Sequence, residues 1–336
     1  MSLQFIMGNS GSGKSYCLYD TVVREAIENP DKNYLVIVPE QFTMQTQKDL
    51  CLAHPKGGIM NIDVLSFGRL AYRVFEEVGQ DARVVLDDEG KNLVLRKIAG
   101  ECEKDLKVFK GNLKKQGYIS EVKSVLSEFA QYGVDFERLD DFMKEVPPES
   151  YLHYKLDDIR TIYEKFEEYL SEKYITKEEM LDVLSDAVPY SDILKGSVVA
   201  MDGFTGFTPV QNRLIGELFS VCEKVMITVM MDGRENPYVY EHPYQIFALG
   251  KQMVTSLMKI AGEKKTEIEE PICLFERPVY RFRDCSEMAF LETELFRYSG
   301  AKYNGSCESV SLHEVRSPGK EAKYVAESIR RLVRTK

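Results

Sequence analysis

The residues best suited to chemistry lie near the start of the sequence, at eight consecutive positions. These residues are Gly8, Asn9, Ser10, Gly11, Ser12, Gly13, Lys14 and Ser15. They fit the spacing G-x-x-x-x-G-K-S, in which backbone N–H groups close around phosphates, lysine reaches the β- and γ-phosphates and serine ligates Mg²⁺. A chance glycine turn before a helix is the alternative. The apolar strand before the loop and the helix after it favour a phosphate site, so the motif predicts binding of ATP with Mg²⁺.

A second stretch can hold the metal ion from the opposite strand. Val198 to Met201 is apolar and leads into Asp202, which is placed to act through Ser15 and water. The sequence therefore predicts Ser15 and Asp202 as metal ligands, against the alternative of a surface aspartate that closes a core strand. Gly203 follows without a side chain, and no general base is visible. We therefore predict no catalytic residue and expect nucleotide to be retained without efficient turnover.

An alternation of apolar strands and amphipathic helices must position these residues. Each predicted strand is followed by a helix, and Thr208 as N-cap with Pro209 at the first helical position marks the helix after Asp202. This order predicts an α/β fold of the P-loop NTPase type, in which helices wrap a parallel sheet. The predicted strands are residues 3–7, 34–38, 62–67, 197–202 and 224–231.

Long charged stretches with helical periodicity interrupt this pattern between about residues 85 and 190. We interpret them as a large all-helical insertion. Near the end, the pattern predicts a strand at residues 309–315 and a capped amphipathic helix at residues 317–334, and this half-built unit suggests a fragment of a longer protein. The predicted domain limits are 1–82 for the first part of the sheet lobe, 83–192 for the insert, 193–308 for the return to the lobe and 309–336 for the start of a second lobe.

Composition restricts the class of protein. The 336 residues carry a net charge of -10 and 44% are hydrophobic, which predicts a globular protein whose nucleic-acid partner must meet a local basic groove. The seven cysteines contain no C-x-x-C pair and the four histidines have no ligand spacing, so we expect reduced thiols and no metal site built from them. The sequence has no signal peptide and no apolar run of membrane length, so we predict a cytoplasmic protein without a membrane partner.

The stretch that begins at Asp202 resembles the superfamily-one helicases of the UvrD/RecB kind, whose motif runs D-E-F-Q-D-T-N-x-x-Q-x-x-L. Four positions match it, namely Asp202, Phe204, Gln211 and Leu214. Where the motif has glutamate, glutamine and a second aspartate, this sequence has Gly203, Thr205 and Gly206. The resemblance implies a RecA-like lobe whose catalytic glutamate has been lost.

Further stretches closely resemble the AddB family, called RexB in related bacteria. They are the early phosphate loop, "VPEQFT" at 38–43 and "VLSFGRLAYRV" at 64–74. AddB proteins are one of the two subunits of bacterial ATP-dependent helicase/deoxyribonucleases. The resemblance implies a RecA-like lobe with a helical subdomain, a heterodimer with an AddA-type motor protein, and scanning of single-stranded DNA for Chi in double-strand-break repair and homologous recombination. It also implies a 5′–3′ exonuclease with a 4Fe-4S cluster outside this chain, and it leaves open whether the chain itself has an enzymatic activity.

Matched position by position, the resemblance assigns candidate DNA contacts at the ends of the second and third strands. Gln41 and Thr43 occupy the place of a motif that holds single-stranded backbone, although Thr43 can instead cap a helix. Ser66, Phe67 and Arg69 lie at the same edge, where the aromatic ring can stack on a base and the arginine can bridge phosphate or guanine. Phe67 can instead belong to the core.

Lysines in the first part of the insert can line a DNA channel or form a solvated helix face. They are Lys97, Lys104, Lys107, Lys110, Lys114 and Lys115. The leading hypothesis is a region of a DNA-processing subunit that binds Mg-ATP and single-stranded DNA. Two alternatives are an active DNA-dependent ATPase motor and a small-molecule P-loop kinase, although no acceptor-binding arginine pair supports the kinase.

Overall fold

The computed structural model describes residues 1–79, 83–113, 115–170 and 173–335. Two compact units make up the chain, Met1–Phe275 and Glu276–Lys336. Lys114, one of the insert lysines, lies outside the described residues. The four domain limits given above stay a prediction.

A parallel sheet forms the centre of the larger unit. In chain order the strands of the described residues are β1 Ser2–Gly8, β2 Tyr34–Ile37, β3 Ile62–Leu65, β4 Val84–Leu86, β5 Tyr174–Thr176, β6 Val198–Met201, β7 Lys224–Met230, β8 Glu267–Ile268 and β9 Ile272–Leu274. The sheet order is β3-β2-β6-β7-β1-β8, and β9 also pairs with β1. All these pairings are parallel, so the carboxyl ends of the strands share one edge. The predicted α/β fold is confirmed, and all five predicted strands form.

Helices cover both faces of this sheet. In chain order they are α1 Lys14–Glu28, α2 Thr43–Ala53, α3 Phe67–Val78, α4 Asp88–Glu101, α5 Gln116–Tyr132, α6 Phe136–Glu145, α7 Tyr151–Leu170, α8 Glu179–Ala187, α9 Pro209–Val221, α10 Ala248–Lys264, α11 Ser286–Glu294 and α12 Pro318–Thr335. In β1, Phe5 and Met7 join the core under α3, α8, α9 and α10, whereas Ile6 joins the core under α1 and α2. Burial on both faces explains the continuous apolar runs of these strands. Across the described ranges, none of the helices is long and apolar enough to span a membrane.

The predicted insert is helical and has a core of its own. Helices α4, α5 and α7 pack around Leu95, Ile162 and Phe166, which are all buried. Two short strands that were not predicted, β4 and β5, pair in parallel where the chain enters and leaves this helical region. Strands of three residues give too short a pattern to detect in a sequence. Helix α8 then returns to the sheet and packs against α3 and α9.

The smaller unit contains α11 and α12. Helix α12 confirms the predicted C-terminal helix, and at its start the Lys320 amide donates to the Ser317 hydroxyl at 3.4 Å. The predicted strand at 309–315 is wrong, because these residues have no regular secondary structure. A strand needs a partner that completes its hydrogen-bond ladder, and the described part of this unit offers no other strand.

Candidate nucleotide site and nucleic-acid interface

The phosphate loop connects the end of β1 to the start of α1. Gly11 and Gly13 have φ angles of 81° and 95°, in the left-handed region that glycine adopts without steric cost. A Cβ on Gly8 would lie 2.3 Å from the Ser12 Oγ and 2.9 Å from the Leu274 carbonyl oxygen, so the loop can fold back on β1 only with glycine here. Among the described residues no side chain caps α1, which leaves its first N–H groups for an anion.

Polar groups inside the loop fit a phosphate. The Lys14 Nζ donates to the Asn9 carbonyl oxygen at 2.8 Å, which places the ammonium across the loop. The Ser12 Oγ is buried and has no hydrogen-bond partner among the described residues. A buried hydroxyl without a partner is costly, and a phosphate oxygen supplies the acceptor that it lacks. Ser15 is exposed in the first turn of α1, where a metal ion can reach it.

Asp202 is held at the end of β6 by two hydroxyl groups. Tyr19 donates to its Oδ2 at 2.8 Å, and Thr228 donates to its Oδ1 at 2.6 Å. Burial, followed by the charge of Asp202, raises the pKa of Tyr19, so this hydroxyl keeps its proton and donates. Because Tyr19 belongs to α1, the carboxylate is tied to the helix that starts at the phosphate loop. Each carboxylate oxygen has further acceptor capacity, and magnesium binding by Ser15 and Asp202 stays a prediction.

Gly203 stands at the position that the resemblance aligns with the helicase motif's catalytic glutamate. Its φ is 79°, in the left-handed region, and a Cβ would meet the Pro39 ring at 3.5 Å. The space therefore admits a side chain, but the backbone conformation strains any residue other than glycine. A glutamate cannot be restored at this position without changing the local backbone.

A second carboxylate, which was not predicted from the sequence, lies beside the loop. Asp232 follows β7, which lies between β1 and β6, and it is buried. Its Oδ2 accepts hydrogen bonds from the Asn9 Nδ2 at 3.3 Å and from the Arg234 Nη2 at 2.7 Å, while its Oδ1 accepts from the Arg234 Nε at 3.1 Å. An aspartate directly after the apolar stretch "ITVMM" is the signal in the sequence that could have placed Asp232 beside the loop, because neighbouring parallel strands end side by side. This carboxylate is engaged by a cation and does not act as a free base.

A cavity of about 630 Å³ opens at the carboxyl ends of β2, β3 and β6. Its walls come from the segments that follow these strands and from the start of α8. Four of the five predicted DNA contacts line it, namely Gln41, Ser66, Phe67 and Arg69. The degenerate motif contributes as well, through Gly203, Phe204, Thr205, Gly206 and Gln211.

The fifth predicted contact, Thr43, is buried outside this set. Its hydroxyl donates to the Glu40 carbonyl oxygen at 3.0 Å. Helix α2 begins at Thr43 itself, and Phe42 occupies the N-cap without a side-chain hydrogen bond, so the capping alternative is wrong. A DNA contact by Thr43 stays a prediction, although its hydroxyl already donates a hydrogen bond to a backbone carbonyl.

Two of the cavity residues also hold the fold together. The Ser66 hydroxyl caps α3 by accepting from the Arg69 amide at 3.3 Å. The Phe67 ring is buried with its centroid 5.4 Å from that of Phe204 and 6.4 Å from that of Phe207. This packing matches the core alternative for Phe67, and its stacking on a base stays a prediction.

The exposed side chains of the cavity are polar, charged or aromatic, and one of the charged residues, Glu40, is acidic. Arg69 and Lys177 are both exposed, and neither forms a salt bridge within the described part of the chain. Tyr72, at 53% exposure, presents an aromatic ring. Lys177 and Tyr72 were not predicted from the sequence. Lys177 follows β5 and is brought to the cavity by the return of the insert, for which no local signal exists.

The insert lysines have other surroundings. Lys107 forms a salt bridge with Asp157 at 2.8 Å and lies over the Tyr154 ring, and Lys97 lies over the Tyr169 ring. None of the described members of this group lines the cavity. Exposed contacts of this kind are typical of a solvated helix face. Their role in a DNA channel stays a prediction.

The cysteines and histidines add no further site. All seven cysteines are free thiols, as predicted. Within the described ranges, no group of three or more His, Cys, Asp or Glu side chains can hold a metal ion.

Comparisons with known proteins cover nearly the whole chain. A family model described as ADDB, N-terminal, matches residues 5–292. Three similar curated proteins are each named as the B subunit of an ATP-dependent helicase/deoxyribonuclease. The protein from Lachnoclostridium phytofermentans is 41% identical over 338 residues, the one from Thermoanaerobacter sp. 35% over 336 residues, and the one from Clostridium tetani 32% over 336 residues. Each match covers 99% of this chain, which spans 29% of the length of each relative.

Proposed function

Because this chain belongs to the AddB N-terminal family, we propose that it binds ATP and single-stranded DNA as part of a helicase/deoxyribonuclease. One observation carries the proposal. Asp202 is bonded to the helix of the phosphate loop, and the next residue, Gly203, lines the cavity. The nucleotide site and the cavity therefore meet at one peptide unit, where a bound nucleotide and a bound strand act on the same segment.

In the nucleotide half, backbone N–H groups of the loop and the Lys14 ammonium hold the phosphates. The unpartnered Ser12 hydroxyl donates to a phosphate oxygen. Ser15 and Asp202 hold Mg²⁺, which neutralises phosphate charge when it is bound. None of these groups belongs to the residue that follows Asp202, so they persist whatever side chain stands there.

We infer further that ATP is retained and turned over slowly. Gly203 offers no group that can orient or deprotonate water, and the carboxylate of Asp232 is engaged by Arg234. Loss of such a group lowers the rate of a proton-transfer step by roughly 10²- to 10⁴-fold. The alternatives of an active motor and a small-molecule kinase have no such observation in their favour.

In the DNA half, Arg69 and Lys177 bind phosphates of a single strand, and Gln41 and Gln211 donate or accept at backbone or base edges. Tyr72 supplies the exposed ring on which a base stacks. Phe67 supports this surface by packing beneath it. With Arg69 and Lys177 against the one acidic lining residue, Glu40, the cavity is locally basic on a protein of net charge -10, which concentrates DNA binding at one place.

For the whole protein we propose the partners that the family resemblance implies. These are an AddA-type helicase in a heterodimer and a Chi sequence read in the single strand during recombinational repair. The name of the relatives includes a deoxyribonuclease. We place that activity, with its iron–sulfur cluster, outside the residues of this chain.

Two substitutions separate the halves of the proposal. Lys14→Ala removes the ammonium and is expected to lower ATP affinity at least about tenfold, without changing the affinity for an oligonucleotide. Arg69→Ala removes one phosphate contact and is expected to lower oligonucleotide affinity about three- to tenfold, without changing ATP affinity. Calorimetry with ATP and fluorescence anisotropy with a labelled oligothymidylate measure the two affinities.

Arg73→Ala is the matched control, because Arg73 is on the same helix as Arg69 but pairs with Asp63 at 3.2 Å. It is expected to leave both affinities unchanged. A folded Lys14→Ala protein that loses both ligands contradicts the separation of the two sites. Rapid phosphate release stimulated by DNA contradicts the retention of ATP.

A further inference from the structure

Asp232 brings a buried negative charge up to the phosphate loop. Its side chain is 2% exposed, and its Oδ2 accepts a hydrogen bond from the loop residue Asn9. Like charges repel strongly where solvent is excluded, so an uncompensated carboxylate at this place opposes the entry of a polyphosphate. A site that takes ATP needs this charge to be cancelled.

Arg234 supplies the compensating positive charge through a bidentate contact with Asp232. Its Nη2 lies 2.7 Å from the Asp232 Oδ2 and its Nε 3.1 Å from the Oδ1, an arrangement that the guanidinium fork makes and an ammonium does not. The Arg234 side chain is 42% exposed, so the cation also faces the solvent from which a nucleotide arrives. Arg234 and Asn9 bond the same carboxylate oxygen, which fixes the guanidinium close to the loop.

We propose that Arg234 is a positioning residue of the nucleotide site, which neutralises Asp232 so that the phosphate loop can accept a nucleoside triphosphate. The inference rests on the proposed function, because it requires the loop to bind nucleotide. The dependence on Arg234 is greater for a triphosphate than for a diphosphate, since the triphosphate carries more negative charge and is repelled more strongly by an unpaired carboxylate.

The turn that carries Arg234 is held on both sides. A Cβ on Gly233 would lie 2.9 Å from the Phe275 ring, so the backbone packs closely there. Glu235 forms a salt bridge at 2.7 Å with Lys251, whose side chain is 5% exposed. These contacts hold the residues on either side of Arg234, which places its side chain beside Asp232.

A purely structural ion pair makes a different prediction. When a structural pair is broken, the protein loses stability and its ligands are affected alike, whatever their charge. When a compensating cation is lost, the loss of affinity is larger for a more highly charged ligand. It is also larger when the electric field of the unpaired carboxylate is less screened. Removing the carboxylate as well then restores binding, because no charge remains to be cancelled.

Calorimetry with ATP and with ADP in the presence of Mg²⁺ distinguishes these cases. Arg234→Gln is expected to weaken ATP binding about tenfold and ADP binding less, and both losses shrink at high salt. The double variant Asp232→Asn with Arg234→Gln is expected to bind ATP within about twofold of the unsubstituted protein. Arg213→Gln is the matched control, since Arg213 is a similarly exposed arginine on α9 that pairs with Asp182 at 2.7 Å.

The outcomes are separable. If the unsubstituted protein does not bind ATP, the proposed function fails and this inference fails with it. Two results overturn only the charge role of Arg234 if the unsubstituted protein binds ATP. One is a double variant that binds ATP no more tightly than Arg234→Gln. The other is an equal loss of affinity for ATP and for ADP in Arg234→Gln at all salt concentrations. If Arg234→Gln does not fold, Asp232→Asn must bind ATP more tightly than the double variant, because it keeps the cation, and equal affinities overturn the inference.

Discussion

The phosphate loop and the cavity share one edge of the sheet but are built from different parts of the chain. In the loop, the geometry comes from backbone, with Gly11 and Gly13 in left-handed conformations and Gly8 in close approach to its neighbours. In the cavity, exposed side chains such as Arg69 and Lys177 line walls that strand ends and the insert provide. A site built from backbone tolerates few substitutions that disturb its conformation. In a site built from side chains, each substitution changes one contact and leaves the others in place.

On the proposed function, this difference lets a nucleotide site lose a catalytic group and keep its ligand. The glutamate of the helicase motif is a side chain, and glycine at position 203 lacks it while the amides of the loop stay in place. The same kind of change in the cavity is expected to alter what is bound, because there we propose that side chains make the contacts. Substitutions in the two sites and in the insert test this contrast.

The largest effect is expected from Gly8→Ala. The added Cβ would lie 2.9 Å from the Leu274 carbonyl oxygen, a backbone atom that cannot move away without disturbing β9. We expect the free energy of unfolding to fall by about 2–3 kcal/mol and ATP affinity to fall with it, measured by urea denaturation and calorimetry. Gly58→Ala is the control, because a Cβ there meets nothing within 4 Å. Equal behaviour of the two variants would show that the loop is not limited by backbone packing.

A similar loss of stability, but without the loss of ATP affinity, is expected from Phe67→Ala, which separates packing from binding within the cavity. Phe67 is buried against Phe204, so its truncation should lower the free energy of unfolding by about 3 kcal/mol without a specific loss of oligonucleotide affinity. Tyr72→Ala removes an exposed ring and should leave stability within about 0.5 kcal/mol while weakening oligonucleotide binding by about 1 kcal/mol. Denaturation and anisotropy measure the two quantities. A stable Phe67→Ala protein would refute the assignment of this ring to the core.

The smallest effect is expected from Glu167→Gln, in the insert. Burial and the neighbouring Glu179 raise the pKa of Glu167 from its ordinary 4.5 to about 7. The folded state therefore binds more protons than the unfolded state between these pH values, and stability falls as pH rises from 4.5 to 7. Glutamine removes this contribution, so the variant should be more stable than the parent above pH 7 by less than about 1 kcal/mol, since the side chain keeps some contact with water.

Denaturation at pH 5 and pH 8 measures this change. Glu164→Gln is the control on the same helix, because the Glu164 side chain is 64% exposed. ATP affinity should be unaffected in both variants, since α7 packs against α4 and α6 within the insert. A pH dependence that survives Glu167→Gln would show that the buried carboxyl does not cause it.

Local signals in the sequence were enough for most of the elements. Thr208 caps α9 as predicted, with its hydroxyl accepting from the Gln211 amide at 3.3 Å and its own amide donating to the Gln211 side chain at 3.0 Å. Such caps act over four residues and need no distant partner. The predicted strand at 309–315 failed for the opposite reason, because an apolar pattern cannot form a strand without a neighbour to pair with.

The sites divide in the same way. The glycine spacing of the phosphate loop could be read residue by residue, since it acts within eight positions, and its ligand stays a prediction. Arg69 was named from its motif, whereas neither the position of Tyr72 and Lys177 at the cavity nor the pairing of Asp232 with Arg234 was predicted. Asp232 reaches the loop because β7 lies beside β1, and Lys177 reaches the cavity because the insert returns beside α3.

By itself the sequence determined the glycine spacing of the phosphate loop, the absence of a side chain at Gly203 and the alternation of strands and helices, because each depends on residues close in the chain. Only the tertiary structure decided which side chains share the carboxyl edge of the sheet. That choice depends on strand order and on the path of the insert, which are fixed by the burial of apolar faces across the whole larger unit and not by any short stretch of residues.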